Sequence, residues 1–446
     1  MYNSLLQPDV RVMLEENDTQ GLREFCRALH PAVVAEVLEG LPPEDVWRVL
    51  RHCDFERQAE IFGFFSLPVQ ENLVRSVDRQ HLSDLIEAMA PDDRVDLLER
   101  LDPEVVEDLM PLIAQAERSD IRKLLSFPED SAGSIMTTEY ASLPENITVA
   151  EALDRLRQQA PDSETIYYVY ILDEDRHLRG LVSLRELILA RPQRQLSEIM
   201  HRDVISVRVD DDQEYVAQEL ARYDFLAIPV VDSQNRLVGI VTHDDVLDVV
   251  QEEATEDAHR AGGMEPLEDS YLETDLATIA WKRGIWLVIL LGAASVTAAV
   301  VKSYESVAKK YVWLTFFMPL VLATGGNTGS QSAALVIRSL ALGRLKEEDA
   351  WRVAARELKV GLLLGTGLML LAFLTACLLV SPYNAMIVGL SVFVVVVLEA
   401  VNGSMLPLLI KRLGMDPAFM SNPMIASLSD LIGVVIYFTM VLLLLD

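Results

Sequence analysis

The sequence predicts a multidomain chain: an all-α superhelical N domain, a duplicated α/β pair, and an α-helical membrane domain with five transmembrane helices. Three observations predict this. The chain of 446 residues has a net charge of −30, yet Trp281–Asp446 holds about nine acidic and about thirteen basic residues. The remaining N-terminal part therefore carries roughly −34, a soluble acidic region joined to an apolar one. Hydrophobic runs of spanning length are confined to the C-terminal third, and one block in the middle reads twice.

Such acidity excludes nucleic acid and anionic lipid surfaces as partners, because both would be repelled, and it suits cations. Cys26, Cys53 and Cys377 share no close spacing. They form neither a zinc motif nor a disulfide framework, as expected of a reducing cytoplasm. The opening MYNSLLQPDVRVMLEEND has no long apolar core, so no secretory signal is expected there.

Residues 1–130 read as the helical N domain. Apolar residues recur at three- and four-residue intervals, as in Val33, Val34, Val37, Leu38 and Leu41. Pro31, Pro43, Pro68, Pro91 and Pro103 open successive segments, and proline is favoured in a helix's first turn. The rhythm suggests short amphipathic helices in a stack.

Residues 131–250 read as an internal duplication. Met136 opens a unit that runs through Ile171–Ser183, and Met200 opens a second that runs through Val231–Thr242. Each has an apolar strand, a polar turn, a second strand with a glycine, and a helix beginning near Leu184 or His243. Both units resemble CBS domains, which pair into regulatory modules. The resemblance implies an adenine nucleotide such as ATP as ligand, with Thr242 and Asp245 at the ribose-contacting positions and Ser183 and Glu186 a looser match. The alternative is Thr242 as a helix cap and Asp245 as a first-turn carboxylate.

Residues 281–446 read as the membrane domain, with residues 251–280 as a connecting helix. Hydrophobic runs fall near 284–301, 312–337, 358–380, 384–410 and 422–445. At about 1.5 Å per residue, roughly 20 residues cross a bilayer core. Arg338, Arg344, Lys346, Arg352 and Arg356 lie between the second and third runs. Lys282 and Arg283 precede the first run, and Lys411 and Arg412 follow the fourth. The positive-inside rule makes these segments cytoplasmic, against the fewer lysines 302, 309 and 310. The soluble domains then lie inside a multi-pass cell-membrane protein.

Pro319–Gln331 (PLVLATGGNTGSQ) places helix-breaking residues inside the second run. Backbone groups freed in hydrocarbon need protein or water, so an interrupted helix beside a polar path is expected. Gly325 and Gly326 would shape that path, and Asn327 and Gln331 would offer oxygens suited to a hard cation such as Mg²⁺. Glu399 and Asp430 are carboxylates within spans, where ionisable groups face partners or water. Asn422, Ala426, Ser429 and Gly433 form a small, polar stripe with Asp430 beside it. It reads as pore-lining or as close helix packing; a carboxylate favours the pore. Glu399 with Asn402 fits a structural hydrogen bond or a transport role equally.

Five motifs in this order resemble the MgtE-type magnesium channels and transporters: Phe127–Met136 (FPEDSAGSIM), the CBS pair, Glu253–Asp257 (EATED), Pro319–Gln331, and Asp416 through Asn422 to Asp430. The resemblance implies a homodimer with an acidic N domain, a CBS pair, a plug helix and five membrane helices. It implies a pore carboxylate at Asp430, oxygen-bearing positions at Asn422 and Asn327, and regulatory Mg²⁺ ligands at Asp92, Glu214, Asp224, Asp245, Asp248, Glu253, Glu256, Asp257 and Asp416. Asp93 or Asp96 could replace Asp92. The function expected is Mg²⁺ import, closed by cytosolic Mg²⁺. Alternatives are a transporter that also takes Co²⁺ or Mn²⁺, and a membrane-tethered metal or nucleotide sensor. No residue constellation points to an enzyme.

Overall fold

Proline opens the helices of the N-terminal block, as its spacing predicts. In the computed structural model, which describes residues 3–267, 271–272, 274–417 and 422–445, ten helices precede the first strand. These are α1 (Asn3–Glu16), α2 (Thr19–Ala28), α3 (Pro31–Leu38), α4 (Pro43–Leu50), α5 (Phe55–Gly63), α6 (Leu67–Ser76), α7 (Arg79–Glu87), α8 (Pro91–Arg100), α9 (Pro103–Leu109) and α10 (Gln115–Leu124). Pro31, Pro43, Pro91 and Pro103 are first residues of their helices and Pro68 is the second, positions whose N–H no helix uses. Asp18, Asp54 and Asp78 cap α2, α5 and α7 by accepting from the backbone N–H three residues on.

Each helix packs on the next but one: α1 on α3, α3 on α5, α5 on α7, α7 on α9, and likewise α2 on α4 and α4 on α6. This superhelical stack shares a single core that includes Leu38, Leu50, Phe62 and Leu85. The buried Trp47 indole donates to the Leu73 carbonyl at 3.0 Å and to Ser76 Oγ at 3.1 Å, tying α4 to α6. The free thiols of Cys26 and Cys53 interact within this core, a meeting their sequence spacing did not suggest.

Two three-stranded sheets follow with one topology. In the first, β1 (Tyr140–Pro144) runs parallel to β2 (Thr165–Leu172), which pairs antiparallel with β3 (Leu178–Ser183). In the second, β4 (Val207–Arg208), β5 (Ala227–Val231) and β6 (Leu237–Thr242) repeat that order. Helices α11 (Val149–Gln159), α12 (Leu184–Leu189) and α13 (Gln213–Tyr223) accompany them, and α14 (His243–Ala261) follows β6.

The repeats interlock. Thr137, at the start of the first unit, exchanges backbone hydrogen bonds at 2.9 Å with Ile240 of the second, and His201 does the same with Leu181 of the first. Gly239 and Gly180 are glycine because of this exchange. A Cβ on Gly239 would stand 2.7 Å from Met136 Sδ and from the Thr137 carbonyl, and one on Gly180 would stand 2.9 Å from Met200 Sδ and from the His201 carbonyl.

The chain divides into two units, Met1–Val250 and Gln251–Asp446. The connecting segment expected as a helix over 251–280 is helical to Ala261, as the end of α14, and again from Leu276, where the next long helix begins; residues 268–270 and 273 lie outside the described part. Gly263, at φ +73°, turns the chain out of α14, and backbone bonds from Gly262, Gly263 and Met264 return to its last turn. Lys282 Nζ donates to the Pro266 carbonyl at 2.6 Å and the Trp286 indole to Glu265 at 3.0 Å, anchoring this turn on the following helix.

The second unit contains α15 (Leu276–Ser303), a short α16 (Glu305–Lys310), α17 (Leu314–Ala341), α18 (Ala350–Ala376), α19 (Pro382–Arg412) and α20 (Asn422–Leu445). Apart from α16 these are 24 to 31 residues long. Among the described residues, four stretches (α15, α18 with the turn before it, α19 and α20) are long and apolar enough to cross a membrane. The fifth long helix, α17, has the length and a more polar sequence.

One expectation is overturned in α17. The interruption predicted at Pro319–Gln331 does not occur: the helix is continuous through Pro319, Gly325, Gly326 and Gly329. Glycine costs a helix about 1 kcal/mol, but in hydrocarbon a continuous helix satisfies its own backbone. The glycines serve close packing instead. A Cβ on Gly403 of α19 would lie 2.2 Å from the Gly329 carbonyl, and one on Gly325 would lie 2.6 Å from Val395 Cγ1.

Candidate functional site

The small stripe on α20 is filled by α17. A Cβ on Gly326 would contact Ala426 at 3.6 Å, one on Gly329 would reach Ser429 Oγ at 2.9 Å, and one on Gly433 would reach Leu322 Cδ2 at 3.0 Å. Ser330 Oγ donates to the Asn422 carbonyl at 3.2 Å, which closes the seam at the start of α20. The stripe Asn422–Ala426–Ser429–Gly433 is thus a packing seam, because residues without bulk let two backbones meet. Asp430 stands beside it, half-buried, with no ion-pair partner among the described residues. Asn327, which follows Gly326 on α17, is exposed, as is Gln331 one turn further on.

Glu399, ambiguous in the sequence, is fully buried on α19. Its Oε2 accepts from Ser429 Oγ at 2.5 Å and from Asn402 Nδ2 at 3.4 Å. Ser332 Oγ donates to Glu357 Oε2 at 2.8 Å, joining α17 to α18. Sequence patterning did not single out Ser332 or Glu357.

At the end of α14, Glu253, Glu256 and Asp257 lie on consecutive turns, as their three- and four-residue spacing predicts. Arg260, one turn after Glu256, pairs with Glu256 and with Asp416 beyond α19. Asp257 is held above the usual carboxylate range by burial and then by Asp416, with Arg338 and Arg260 opposing. Arg260 is thus a cation that already bridges two of these acids. Residues 418–421 of the final motif lie outside the described part.

A second acidic group forms within the first unit. Asp92 and Asp93 open α8, Asp244 and Asp245 open α14 with Asp248 one turn on, and Glu164 precedes β2. Burial, then the charges of Asp245 and Asp93, hold the Asp92 carboxyl well above the usual range. Asp245 is pushed up to about 6 by burial, with Asp244 and Asp93 adding and the hydroxyl of Thr242 opposing. Glu164 is pushed up to about 7 by loss of solvation and then by Asp245 and Asp244. Asp92 Oδ1 is buried without a hydrogen-bond partner. Asp92, Asp245 and Asp248 were among the regulatory positions the resemblance implied; Glu164 was not singled out, its only signal being a carboxylate just before a strand.

Glu214 and Asp224 are both carried by α13. They stand in the first turn and at the left-handed C-cap of α13 (φ 53° at Asp224), about 15 Å apart along the helix, too far to share one ion. Thr242 donates to Asp245, so both readings of that pair stay available: a helix start, and a hydroxyl–carboxylate pair of the kind ribose engages. In the first repeat Ser183 and Glu186 form a full capping box instead.

Among the described residues no three His, Cys, Asp or Glu side chains converge as a metal ligand set. The donors nevertheless suit Mg²⁺. They are all carboxylates, one buried oxygen lacks a partner, and Mg²⁺ keeps several waters that carboxylates need only reach through hydrogen bonds.

Comparison with known proteins agrees with this layout. Family models match at residues 29–130 (MgtE intracellular N domain), 132–192 and 196–252 (CBS domain) and 318–440 (MgtE, divalent cation transporter). The magnesium transporter MgtE of Thermus thermophilus is 41% identical over 97% of this chain and 97% of its own length. That of Bacillus subtilis is 32% identical over 96% and 94%. A crystal structure of the cytosolic domain of the Mg²⁺ channel MgtE in complex with ATP covers 55% of this chain and all of its own, at 40% identity and a TM-score of 0.52. With the three matched regions in the order in which the fold presents them, the chain belongs to the MgtE family of multi-pass membrane transporters.

Proposed function

We propose that this protein imports Mg²⁺ across the cytoplasmic membrane as a homodimeric, five-span channel. The observation that carries the reading is Asp430: a half-buried carboxylate without an ion-pair partner among the described residues, on a helix otherwise apolar. Such a group is costly in a membrane unless a cation or water faces it. Beside it α17 exposes Asn327 and Gln331, polar groups that a second copy of the chain would cover. Two Asp430 carboxylates across a dimer axis would hold a hydrated Mg²⁺ through few charges and many oxygen dipoles, with geometry rejecting larger Ca²⁺. The membrane potential supplies about 2.3 kcal/mol per charge per 100 mV, twice that for a divalent ion.

Cytosolic Mg²⁺ is the brake in this reading. The acids within the first unit (Asp92, Asp245 and Asp248 with Asp93 and Glu164) and those within the second (Glu253, Glu256, Asp257 and Asp416) are each a crowded negative group that a divalent cation would stabilise. Adenine nucleotide is a second cytosolic ligand, at the CBS pair through Thr242 and Asp245; support comes from the ATP complex of the similar cytosolic domain. The family model's description as a divalent cation transporter favours including Co²⁺ and Mn²⁺ as competing cargo.

The test is Mg²⁺ flux into proteoliposomes with Co²⁺, Mn²⁺ and Ca²⁺ as competitors. Asp430→Ala is expected to abolish flux while the protein still reconstitutes as a dimer. Flux near the parent level in that variant would sink the proposal.

A further inference from the structure

We infer that Glu399 is a positioning residue for the pore carboxylate, acting through Ser429 on the residue next to it. This rests on the reading of Asp430 as the selectivity acid. Glu399 is fully buried at the crossing of three helices. It is carried by α19, its Oε2 accepts from Ser429 Oγ of α20 at 2.5 Å, and a Cβ on Gly329 of α17 would come within 3.3 Å of the same oxygen. A Cβ on Gly325 would stand 3.6 Å from Glu399 Cγ, so two α17 glycines leave just enough room for this side chain. Asn402 Nδ2 supports Oε2 from the next turn of α19 at 3.4 Å.

Packing alone does not call for this arrangement. A buried carboxyl is among the most expensive groups to seat between membrane helices, and Ala or Leu would fill such a site at lower cost. Glu399 Oε1 is buried with no partner, so the side chain has not been seated to satisfy itself. What the seat provides is a directional bond to Ser429, the residue before Asp430. A single hydrogen bond to a carboxyl restrains both rotation and translation of α20 at that point. Asp430 follows by one residue, so its direction is set by the same restraint. Of the other contacts along the seam, Gly326 on Ala426 and Leu322 on Gly433 are apolar and tolerate sliding, and the Ser330 Oγ bond to the Asn422 carbonyl at 3.2 Å holds only the start of α20, about two turns before Asp430.

A carboxylate that selects a hydrated ion by geometry loses selectivity before it loses conduction when its placement loosens. Glu399→Ala is therefore expected to lower the Mg²⁺-over-Ca²⁺ permeability ratio several-fold, with a smaller change in total divalent flux. Ser429→Ala, which removes the donor and almost no volume, is expected to lower the ratio in the same direction. Glu399→Gln keeps a side-chain oxygen for Ser429 and is expected to recover most of what Glu399→Ala loses.

The experiment measures Mg²⁺ and Ca²⁺ flux in the full-length reconstituted protein, with Asp430→Ala alongside. A parent-like ratio in both Glu399→Ala and Ser429→Ala overturns the inference. Equal damage from Glu399→Gln and Glu399→Ala also overturns it, because charge and not the hydrogen bond would then be what matters. If Asp430→Ala retains flux, the reading of the pore fails instead, and the two failures are told apart by that arm.

Discussion

If the acidic group of the first unit binds cytosolic Mg²⁺ as proposed, that binding depends on pH with a sign the structure determines. Asp245 is pushed up to about 6 and Glu164 to about 7. A carboxyl raised in the fold binds its proton more tightly than in the unfolded chain. The contribution to folding is therefore fully present below about pH 4 and is lost progressively as pH rises through about 6 for Asp245 and about 7 for Glu164. Mg²⁺ needs the same oxygens deprotonated, so it is outcompeted at low pH. Each proton released on binding changes apparent affinity by up to tenfold per pH unit. Two groups titrating between pH 6 and pH 8 then give an affinity roughly 10- to 100-fold tighter at the higher pH. The full-length protein in detergent, titrated with MgCl₂ at pH 6, 7 and 8 and read by protection from limited trypsin digestion, reports the midpoint. The double substitution Asp245→Asn with Glu164→Gln is expected to weaken Mg²⁺ binding at pH 8 and to flatten the pH dependence. Equal midpoints at pH 6 and pH 8 in the parent, or a tighter one at pH 6, would refute the reasoning.

Arg260→Ala removes the cation shared by Glu256 and Asp416, and the uncompensated acids are expected to bind Mg²⁺ in its place; single-channel recordings should show inhibition at several-fold lower internal Mg²⁺. Asp430→Asn keeps an oxygen and loses the charge, so Mg²⁺ flux in proteoliposomes should fall at least tenfold. Gly403→Ala places a methyl against the Gly329 carbonyl and should destabilise the membrane unit by about 1–3 kcal/mol, seen as a lower unfolding temperature in detergent. Gly326→Ala, whose Cβ meets Ala426 at an ordinary 3.6 Å, should leave that temperature nearly unchanged. Trp47→Phe loses two hydrogen bonds between α4 and α6 and should cost the N domain about 1–3 kcal/mol, measured by denaturant unfolding.

Much of the architecture is local and was legible without coordinates. Proline at the first turn, aspartate at the cap and apolar residues at helical spacing act within one or two turns, so α2 to α9 begin where those residues stand. Hydropathy places the apolar helices, because bilayer thickness acts on any long enough run. The duplicated hairpins follow from a strand, a polar turn and a glycine-bearing strand appearing twice.

What the sequence left open depends on which distant residues meet. Gly180 and Gly239 recur because each repeat is completed by the segment opening the other, a fact visible only once the two sheets lie together. The glycines of α17 read as breakers because glycine alone does not say whether a helix bends or another helix approaches; here a second backbone fills the space. Arg260 meets Asp416 across 156 positions and Glu399 meets Ser429 across 30. Periodicity carries no information about such pairs, because they arise from helix crossings. The sequence by itself determined the elements, their order and the acids in play. The tertiary structure decided which acids are compensated, which stand without an ion-pair partner, and which hold a helix in place, since charge and hydrogen-bond partners are chosen by distance in space and not along the chain.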